Sequence, residues 1–433
     1  MFAKVTILLT GLLLACSTVA SPRIENWQTS NGTPVYFVQA TELPMLDIRL
    51  VFDAGAARDN KGGVALLVNS MLNQGTKQKD ADAIAIAFDD VGAQFQTESE
   101  RDMAIVSLRS LSESKALDTA VDTFVEVISQ PTFPEASFAR LINQLKTSLQ
   151  AEKQSPSAIA ERAFYQQLFG EHPYAAMPSG TEASVAEITT ADLQQFYQQY
   201  YVAKNAVLVI VGDADSNKAK ALAEKITGSL PVGEKAPALP NVPALTAAQS
   251  RHIAYPSSQT TILMGQPGLT RDDPQFFPLY VGNHILGGSG LVSIISNEIR
   301  EKRGLSYSAY SYFRPMRKAG PYQFGLQTRN DQAEQALEVM KQTLEAFVEQ
   351  GPTAEQLTAA KQNITGGFAL RVDSNGKIAD YLAMIGFYNL PLDHLETFNE
   401  RVNAVTVEQI KAAFKKRIYP QKMTTVSVGG ETQ

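Results

Sequence analysis

Two side chains in the second half of this 433-residue chain have the chemistry to stabilise a developing negative charge. Arg300 lies near the end of a predicted helix at residues 292–302, and Tyr307 follows it. A guanidinium is always charged and a phenol can donate a hydrogen bond, so the pair suits an oxyanion. The plainer interpretation makes Arg300 a solvated cation and Tyr307 a packing residue. Arg303 is the competing candidate, because it lies nearer to Tyr307.

A glycine-rich segment, Leu286-Gly287-Gly288-Ser289-Gly290, precedes this helix. It lacks the lysine of a phosphate-binding P-loop and the full G-x-G-x-x-G of a dinucleotide site. It also lacks the G-x-S-x-G turn of a serine hydrolase. We interpret Gly287, Gly288 and Gly290 as a loop that lets a substrate backbone approach closely.

Residues that bind metals are few and scattered. The four histidines are far apart in the sequence: His172, His252, His284 and His394. No pair has metal-ligand spacing, so each is interpreted as a surface or packing residue. Cys16 is the only cysteine, which excludes disulfides, thiolate zinc sites and a cysteine nucleophile. The sequence therefore predicts that this chain binds no metal and no cofactor.

The first half contains a distinctive strand, turn and helix. The pattern predicts a strand at residues 47–52, a turn at 54–58 and a helix at 61–74, which Gly75 ends. The segment from Gly63 closes with Met-Leu-x-x-Gly-Thr. In this segment, and in the stretch from Arg300 to Tyr307, the chain resembles the pitrilysin, insulinase and mitochondrial processing peptidase family of zinc peptidases. The resemblance extends over almost the whole chain after its amino terminus.

The resemblance also identifies what this helix lacks. Active family members carry an inverted zinc motif, H-x-x-E-H, in which two imidazoles bind the metal and the carboxylate is the general base. Here these positions fall on Leu66, Asn69 and Ser70, which offer no two strong zinc ligands. The family's further zinc-binding glutamate falls on Ser148, counted back from Pro156. The resemblance thus implies a degenerate zinc site.

The arginine and tyrosine of the second half are retained. In relatives this pair comes from the domain that faces the zinc, and it donates hydrogen bonds to the substrate carbonyl and the oxyanion. The resemblance implies the same roles for Arg300 and Tyr307, and it implies that zinc is supplied by a partner subunit.

The two halves of the chain also resemble each other. A strand at residues 105–111 and its following helix correspond to a strand at 322–328 and its helix, and residues 188–212 align without a gap on 405–429. Two matches in the same order predict an internal duplication. We expect an α+β fold of two homologous domains, each an antiparallel-rich sheet with helices packed on one side. The family resemblance implies the half-clamshell of the processing peptidases.

Domain boundaries follow from composition. We predict a secretion signal at residues 1–20, an N-terminal domain at 21–232, a Pro- and Ala-rich linker at 233–249 and a C-terminal domain at 250–433. In the signal, Lys4 precedes an apolar run that is too short to span a membrane. The alternative is a lipoprotein box with Cys16 acylated. We therefore expect a periplasmic or secreted protein.

Composition limits the possible functions. With 44% hydrophobic and 19% charged residues the chain is an ordinary globular protein with no transmembrane span, and a net charge of −6 excludes a nucleic-acid binder. The leading hypothesis is the zinc-less subunit of a heterodimeric metallopeptidase that acts on unfolded peptides. The alternative is a non-enzymatic peptide-binding or scaffold protein. A lone peptidase with another metal site is disfavoured by the scattered histidines.

Overall fold

A computed structural model describes residues 23–430, so the predicted signal sequence and Cys16 lie outside the described part of the chain. The first half contains six strands: β1 (Glu25–Gln28), β2 (Pro34–Gln39), β3 (Met45–Phe52), β4 (Gln94–Ser99), β5 (Ala104–Leu111) and β6 (Ala206–Gly212). Its helices are α1 (Val64–Met71), α2 (Ala81–Asp89), α3 (Ser114–Ser129), α4 (Glu135–Glu152), α5 (Pro156–Phe169), α6 (Glu182–Ala186), α7 (Thr190–Tyr200) and α8 (Ser216–Thr227).

The second half repeats this pattern with five strands: β7 (Gln249–Ile253), β8 (Gln259–Pro267), β9 (Ala309–Phe313), β10 (Pro321–Arg329) and β11 (Thr424–Val428). Its helices are α9 (Phe276–Asn283), α10 (Ile294–Ser296), α11 (Ala333–Gln350), α12 (Ala354–Gly366), α13 (Asn375–Tyr388), α14 (His394–Ala404) and α15 (Val407–Arg417). No helix within residues 23–430 is long and apolar enough to cross a membrane.

The two sheets have matching topologies. The first has the order β1-β2-β6-β3-β5-β4, and the second has the order β7-β11-β8-β10-β9. In each sheet one pair is parallel, β2 with β6 and β7 with β11, and the other neighbours are antiparallel. The predicted α+β fold of two homologous, antiparallel-rich domains is confirmed.

Alternation along the strands creates two apolar faces on each sheet. On β3, Leu46, Ile48 and Leu50 are fully buried in the core of the first half. Val51 points to the opposite face and joins the core of the second half. Because the side-chain period of a strand is two, one strand serves both cores.

The opposite faces are covered by helices exchanged between the halves. Helix α13 of the second half packs on β3 and β6 of the first sheet, and α5 of the first half packs on β8 and β11 of the second. Glycines permit the close approach: a Cβ on Gly386 of α13 would lie 2.6 Å from the Tyr36 ring, and one on Gly265 of β8 would lie 2.9 Å from Phe164 of α5. Each sheet therefore has helices of its own half on one face, as predicted. Its other face is covered by a helix from the other half.

The chain between α8 and β7 has no helix or strand but is docked along much of its length. Leu239 is buried, the carbonyl of Pro237 accepts a hydrogen bond from Arg58, and the carbonyl of Pro240 contacts the imidazole of His172 at 3.0 Å. This stretch coincides with the predicted linker, although β7 begins at Gln249, the linker's last predicted residue.

Candidate functional site

Helix α1, which would carry the zinc motif in an active relative, begins at an acidic cap, the half-buried Asp59. The two carboxylate oxygens of Asp59 accept hydrogen bonds from the backbone N–H groups of Gly63, at 2.8 Å, and Ala65, at 2.7 Å. Burial raises the pKa of Asp59 to about 7, although both N–H donors act to lower it. Gly63 has a φ of 106°, which only glycine adopts readily. Cap and glycine together fix where the helix starts, three residues later than the sequence predicted.

The three degenerate motif positions on α1 are occupied by structural side chains. Leu66 is half-buried against the core of the first half, and Ser70 is half-buried. Asn69 is only 1% exposed. None of the three side chains is a strong zinc ligand, so the residues of this helix do not fit the metal that active relatives bind.

Asn69 uses its whole side-chain amide to hold the sheet. Its Nδ2 donates to the carbonyl of Glu98 at 2.7 Å and to that of Ile105 at 3.3 Å, and its Oδ1 accepts from the Tyr201 hydroxyl at 3.1 Å. This side chain therefore joins α1 to β4 and β5. A carboxylate here would have no proton to donate to two backbone carbonyls, so a general base does not fit without repacking.

The fourth position also provides no ligand. Ser148 is exposed on α4, a helix that contacts α1. Within residues 23–430, no group of three or more His, Cys, Asp or Glu side chains is placed to hold a metal ion.

The glycine-rich loop divides into a packed part and an open part. It forms a π-helical turn at residues 284–288, and a Cβ on Gly287 would lie 2.2 Å from the Ser311 hydroxyl, so packing against β9 requires this glycine. Gly288 and Gly290 are exposed, and Gly290 has a φ of 65° with no atom within 4 Å of an added Cβ. Of the three predicted substrate-facing glycines, these two leave room for a peptide backbone.

Asn283, which precedes this loop, holds a neighbouring strand by hydrogen bonds of its side-chain amide, as Asn69 does on α1. Asn283 Nδ2 donates to the Ser311 carbonyl at 3.0 Å, and its Oδ1 accepts from the Ser311 hydroxyl at 2.7 Å. Asn69 and Asn283 thus anchor β4 and β9, the edge strands of their sheets. Sequence reasoning missed Asn283, and the signal was available: Asn69-Ser70-Met71-Leu72 aligns on residues 283–286, Asn-His-Ile-Leu.

Arg300 and Tyr307 lie on the surface of the second half. Arg300 is in a π-helical turn at Asn297–Glu301, where it contacts the carboxylate of Glu301 at 3.4 Å, and its side chain is 35% exposed. Tyr307 is 88% exposed and makes no hydrogen bond to residues 23–430. The backbone beside it is fixed, since the buried Ser306 donates to the carbonyl of Gln327 at 2.6 Å. The phenol is therefore presented outward from an ordered turn.

Arg303 has a different environment from Arg300. Its guanidinium pairs with Glu298 at 2.7 Å, and the same carboxylate binds Lys302 at 2.6 Å. These two cations lower the pKa of Glu298. Arg303 is thus engaged in a local surface cluster, which suits its use as a control.

The structure does not join the two groups of predicted site residues into one centre. Among the hydrogen bonds and ion pairs of residues 23–430, none connects Arg300 or Tyr307 to α1. The arginine and tyrosine lie in the second half, whereas the degenerate motif lies in the first.

A buried carboxylate between the halves was also missed by sequence reasoning. Asp102, 2% exposed, accepts hydrogen bonds from the hydroxyl of Tyr174 at 2.6 Å, the hydroxyl of Tyr388 at 3.1 Å and the N–H of Arg317 at 2.7 Å. Burial and the Asp102 charge raise the pKa of both tyrosines, which keeps them protonated donors. The network is structural and links the two halves.

Comparison with known proteins agrees with this fold. Residues 37–182 match the family described as "Insulinase (Peptidase family M16)", and residues 187–364 match "Peptidase M16 inactive domain". A crystal structure described as the peptidase M16 inactive domain from Pseudomonas fluorescens is 40% identical, with a TM-score of 0.92, covering 95% of this chain and 98% of that one.

Two curated relatives carry different names. One, the uncharacterized zinc protease YmxG of Bacillus subtilis, is 24% identical over 393 residues, which cover 89% of this chain and 94% of the relative. The other, the non-peptidase homolog YmxG of Helicobacter pylori, is 24% identical over 388 residues, 88% of each chain. The fold and the degenerate helix define an inactive relative of zinc peptidases. The chain belongs to peptidase family M16.

Proposed function

We propose that this chain is the zinc-less subunit of an exported heterodimeric M16 metallopeptidase. A partner of similar size with an intact H-x-x-E-H would supply Zn²⁺ and the general base, and this chain would supply Arg300 and Tyr307. The observation that carries the proposal is Tyr307, whose phenol is exposed and free of internal hydrogen bonds on an ordered turn. A tyrosine retained only for packing would bury its ring.

The degenerate helix supports the same conclusion. Asn69 is committed to holding β4 and β5, so this half keeps the scaffold of the zinc site without its chemistry. Two domains from this chain and two from the partner would enclose an unfolded peptide, which could pair with the edge of a sheet. Export rests on the amino-terminal sequence alone.

The test is reconstitution with a member of the family from the same organism that carries an intact H-x-x-E-H. The mature chain alone should leave an unstructured fluorogenic peptide uncleaved and should hold no stoichiometric zinc after dialysis. Added to the partner, it should raise kcat/KM by a large factor. Equal partner activity with and without this chain would instead support the non-enzymatic scaffold function.

A further inference from the structure

The second half contains a positively charged cleft of about 520 Å³ between α9, β9 and the turn at Ala369–Arg371. Arg271 and Arg371 both line it. No aspartate or glutamate is among the described residues that form its walls. In a chain with 44 acidic and 38 basic residues, this is a local excess of positive charge.

The direct contacts of the two arginines are with neutral groups, although Glu100 and Asp102 lie close enough to Arg271 to oppose the lowering of its pKa by burial. The Arg271 guanidinium lies over the Tyr388 ring, 5.2 Å from its centroid, and its buried Nε has no hydrogen-bond partner within residues 23–430. Arg371 donates to the hydroxyl of Tyr280 at 3.1 Å. Neither guanidinium forms an ion pair with a carboxylate of the described chain. Both guanidiniums can therefore donate to an anion that enters the cleft.

The cleft is also preorganised. The N–H of Arg271 donates to the carbonyl of Met316 at 2.9 Å, and Thr270 forms a β-bridge with the same residue. Tyr280, the partner of Arg371, stacks on Phe276 with ring centroids 5.5 Å apart. An incoming anion would meet donors whose positions are already fixed, which reduces the entropy cost of binding.

The remaining walls suit a peptide more than a compact ion. The rings of Tyr310 and Tyr312 stack at 5.9 Å along β9 and supply an apolar surface for side chains. Gly288 and Gly290 form an open rim where a backbone can approach. A carboxylate attached to an extended chain would use the arginines, the aromatic wall and the rim together.

We propose that this cleft binds a carboxylate of an extended peptide, an acidic side chain or the C-terminal carboxylate, through Arg271 and Arg371. The proposal rests on the proposed function in one respect, which is that the ligand is a peptide. It assigns to this subunit a preference for acidic or C-terminal peptide segments.

The experiment measures fluorescence anisotropy of labelled unstructured peptides with the mature chain alone. One peptide carries glutamates and a free C-terminus, a second has glutamine in place of glutamate, and each is also made with an amidated C-terminus. The preferred carboxylate form should bind roughly ten-fold more tightly than its neutral counterpart, and added salt should reduce the difference. Comparing the effect of glutamine substitution with that of C-terminal amidation identifies whether the cleft binds an acidic side chain or the C-terminal carboxylate.

Arginine variants identify the donors. Arg371→Gln, at an exposed turn where folding is not at stake, should remove most of the preference, and Arg371→Lys should retain part of it. Arg271→Gln should do the same if its melting temperature is unchanged. Arg329→Gln is the matched control, because Arg329 is 64% exposed and pairs with Asp331 outside the cleft.

Equal binding of all four peptides, or an undiminished preference in Arg371→Gln, would overturn the proposal. Binding of inorganic phosphate without any preference among the peptides would also overturn it. The partner assay separates this inference from the proposed function: with the amidated glutamine peptide as substrate, which has neither carboxylate, Arg371→Gln should still activate the partner. Loss of partner activation in the wild-type chain, with the carboxylate preference intact, would reject the heterodimer and leave the cleft standing.

Discussion

Asn69 and Tyr307 differ in how far the surrounding protein constrains them. Asn69 is fully buried and makes three hydrogen bonds, so every donor and acceptor group of its side-chain amide is used to hold the fold together. Tyr307 makes none to the described chain and presents its hydroxyl to the outside. At the degenerate motif of the first half, Asn69 is therefore structural, whereas Tyr307 of the second half is exposed, as its proposed role requires.

The Tyr307→Phe variant tests whether the Tyr307 hydroxyl takes part in catalysis. It removes one hydroxyl from a side chain that is 88% exposed, so the melting temperature should not change. If the phenol stabilises the oxyanion, the reconstituted enzyme should lose kcat roughly ten- to a thousand-fold, with a smaller change in KM. Arg300→Lys should also reduce kcat, because a point charge does not reproduce a planar fork of donors.

The control for both variants is Arg303→Lys. Arg303 belongs to the surface cluster with Glu298, and exposed pairs of this kind contribute little to stability. It should leave kcat and the melting temperature unchanged. Full kcat in Tyr307→Phe, with the complex still assembled, would show that this chain forms part of the substrate chamber but does not contribute Tyr307 to catalysis.

In both halves of the chain, an asparagine on a helix anchors an edge strand of the sheet. Exposed strand edges are sites of unwanted pairing, and tying them to a helix limits this. In the first half, β4 is held through Asn69, and in the second, β9 is held through Asn283. The duplication therefore preserved a structural contact while the chemistry of the halves diverged.

Alanine at either asparagine should be costly. Asn69→Ala leaves two carbonyls and one hydroxyl without their partner, and the free energy of unfolding should fall by about 2 kcal/mol. Asn283→Ala should cost a similar amount. Asn143→Ala, at an exposed position of α4, should have almost no effect. Urea unfolding followed by circular dichroism is the measurement, and a loss at Asn69 no larger than at Asn143 would contradict the anchoring role.

The start of α14 makes stability depend on pH. Burial, with help from Arg401 and Arg271, lowers the pKa of His394 to about 4, and Asp393 opposes the shift only weakly. A depressed folded-state pKa contributes stability that is present above pH 6.5 and is lost as the pH falls toward 4. By itself His394 should lower the free energy of unfolding by about 3 kcal/mol over this window, whereas Asp59, whose pKa is raised to about 7, acts in the opposite direction.

Replacing the imidazole isolates this contribution. His394→Gln should remove this contribution, so the difference in unfolding free energy between the wild-type chain and the variant should change by about 3 kcal/mol between pH 6.5 and 4. His252→Gln, at an exposed position on β7, should leave the pH dependence of the wild-type chain unchanged. Identical slopes in the wild-type chain and His394→Gln would show that His394 is not the group that titrates.

At the scale of the whole molecule, the halves are joined by exchanged helices and by the Asp102 network. Helices α5 and α13 each cover the sheet of the other half, and Asp102 binds groups from both halves. The two domains thus share cores and cannot separate without exposing apolar surface. We therefore expect the two halves to move as one rigid unit.

Asp102→Asn tests the polar part of this junction. The amide replaces a carboxylate oxygen with a donor that faces other donors, so the free energy of unfolding should fall by about 2 to 3 kcal/mol. Hydrogen exchange should accelerate in the loops that carry Tyr174 and Arg317. Asp331→Asn, which breaks an exposed pair, serves as the control. Unchanged exchange in both loops would mean that the exchanged helices alone hold the halves together.

Helices were predicted correctly where apolar residues recur at regular spacing, and less well where the backbone departs from a regular α-helix. The helix predicted after the strand at residues 105–111 is α3, and the apolar side chains that recur along it at intervals of three and four are buried: Leu117, Ala120, Phe124 and Val127. The helix predicted at residues 292–302 instead contains the short α10 followed by a π-helical turn. Hydrogen bonds of the i to i+5 type leave no signature in hydrophobic spacing, so the local form of the Arg300 segment required coordinates.

The sequence by itself determined the family, the duplication and the loss of the zinc ligands, because each depends on residue identity and order. Leu66, Asn69 and Ser70 do not provide two strong zinc ligands in any fold that places them on one helix face. Tertiary structure alone decided what replaced that chemistry: the hydrogen bonds of Asn69, the exchange of α5 and α13, the buried Asp102 and the cleft of Arg271 and Arg371. These features join residues that are distant in the chain, and hydrophobic periodicity reports which face of an element is buried but not which element covers it.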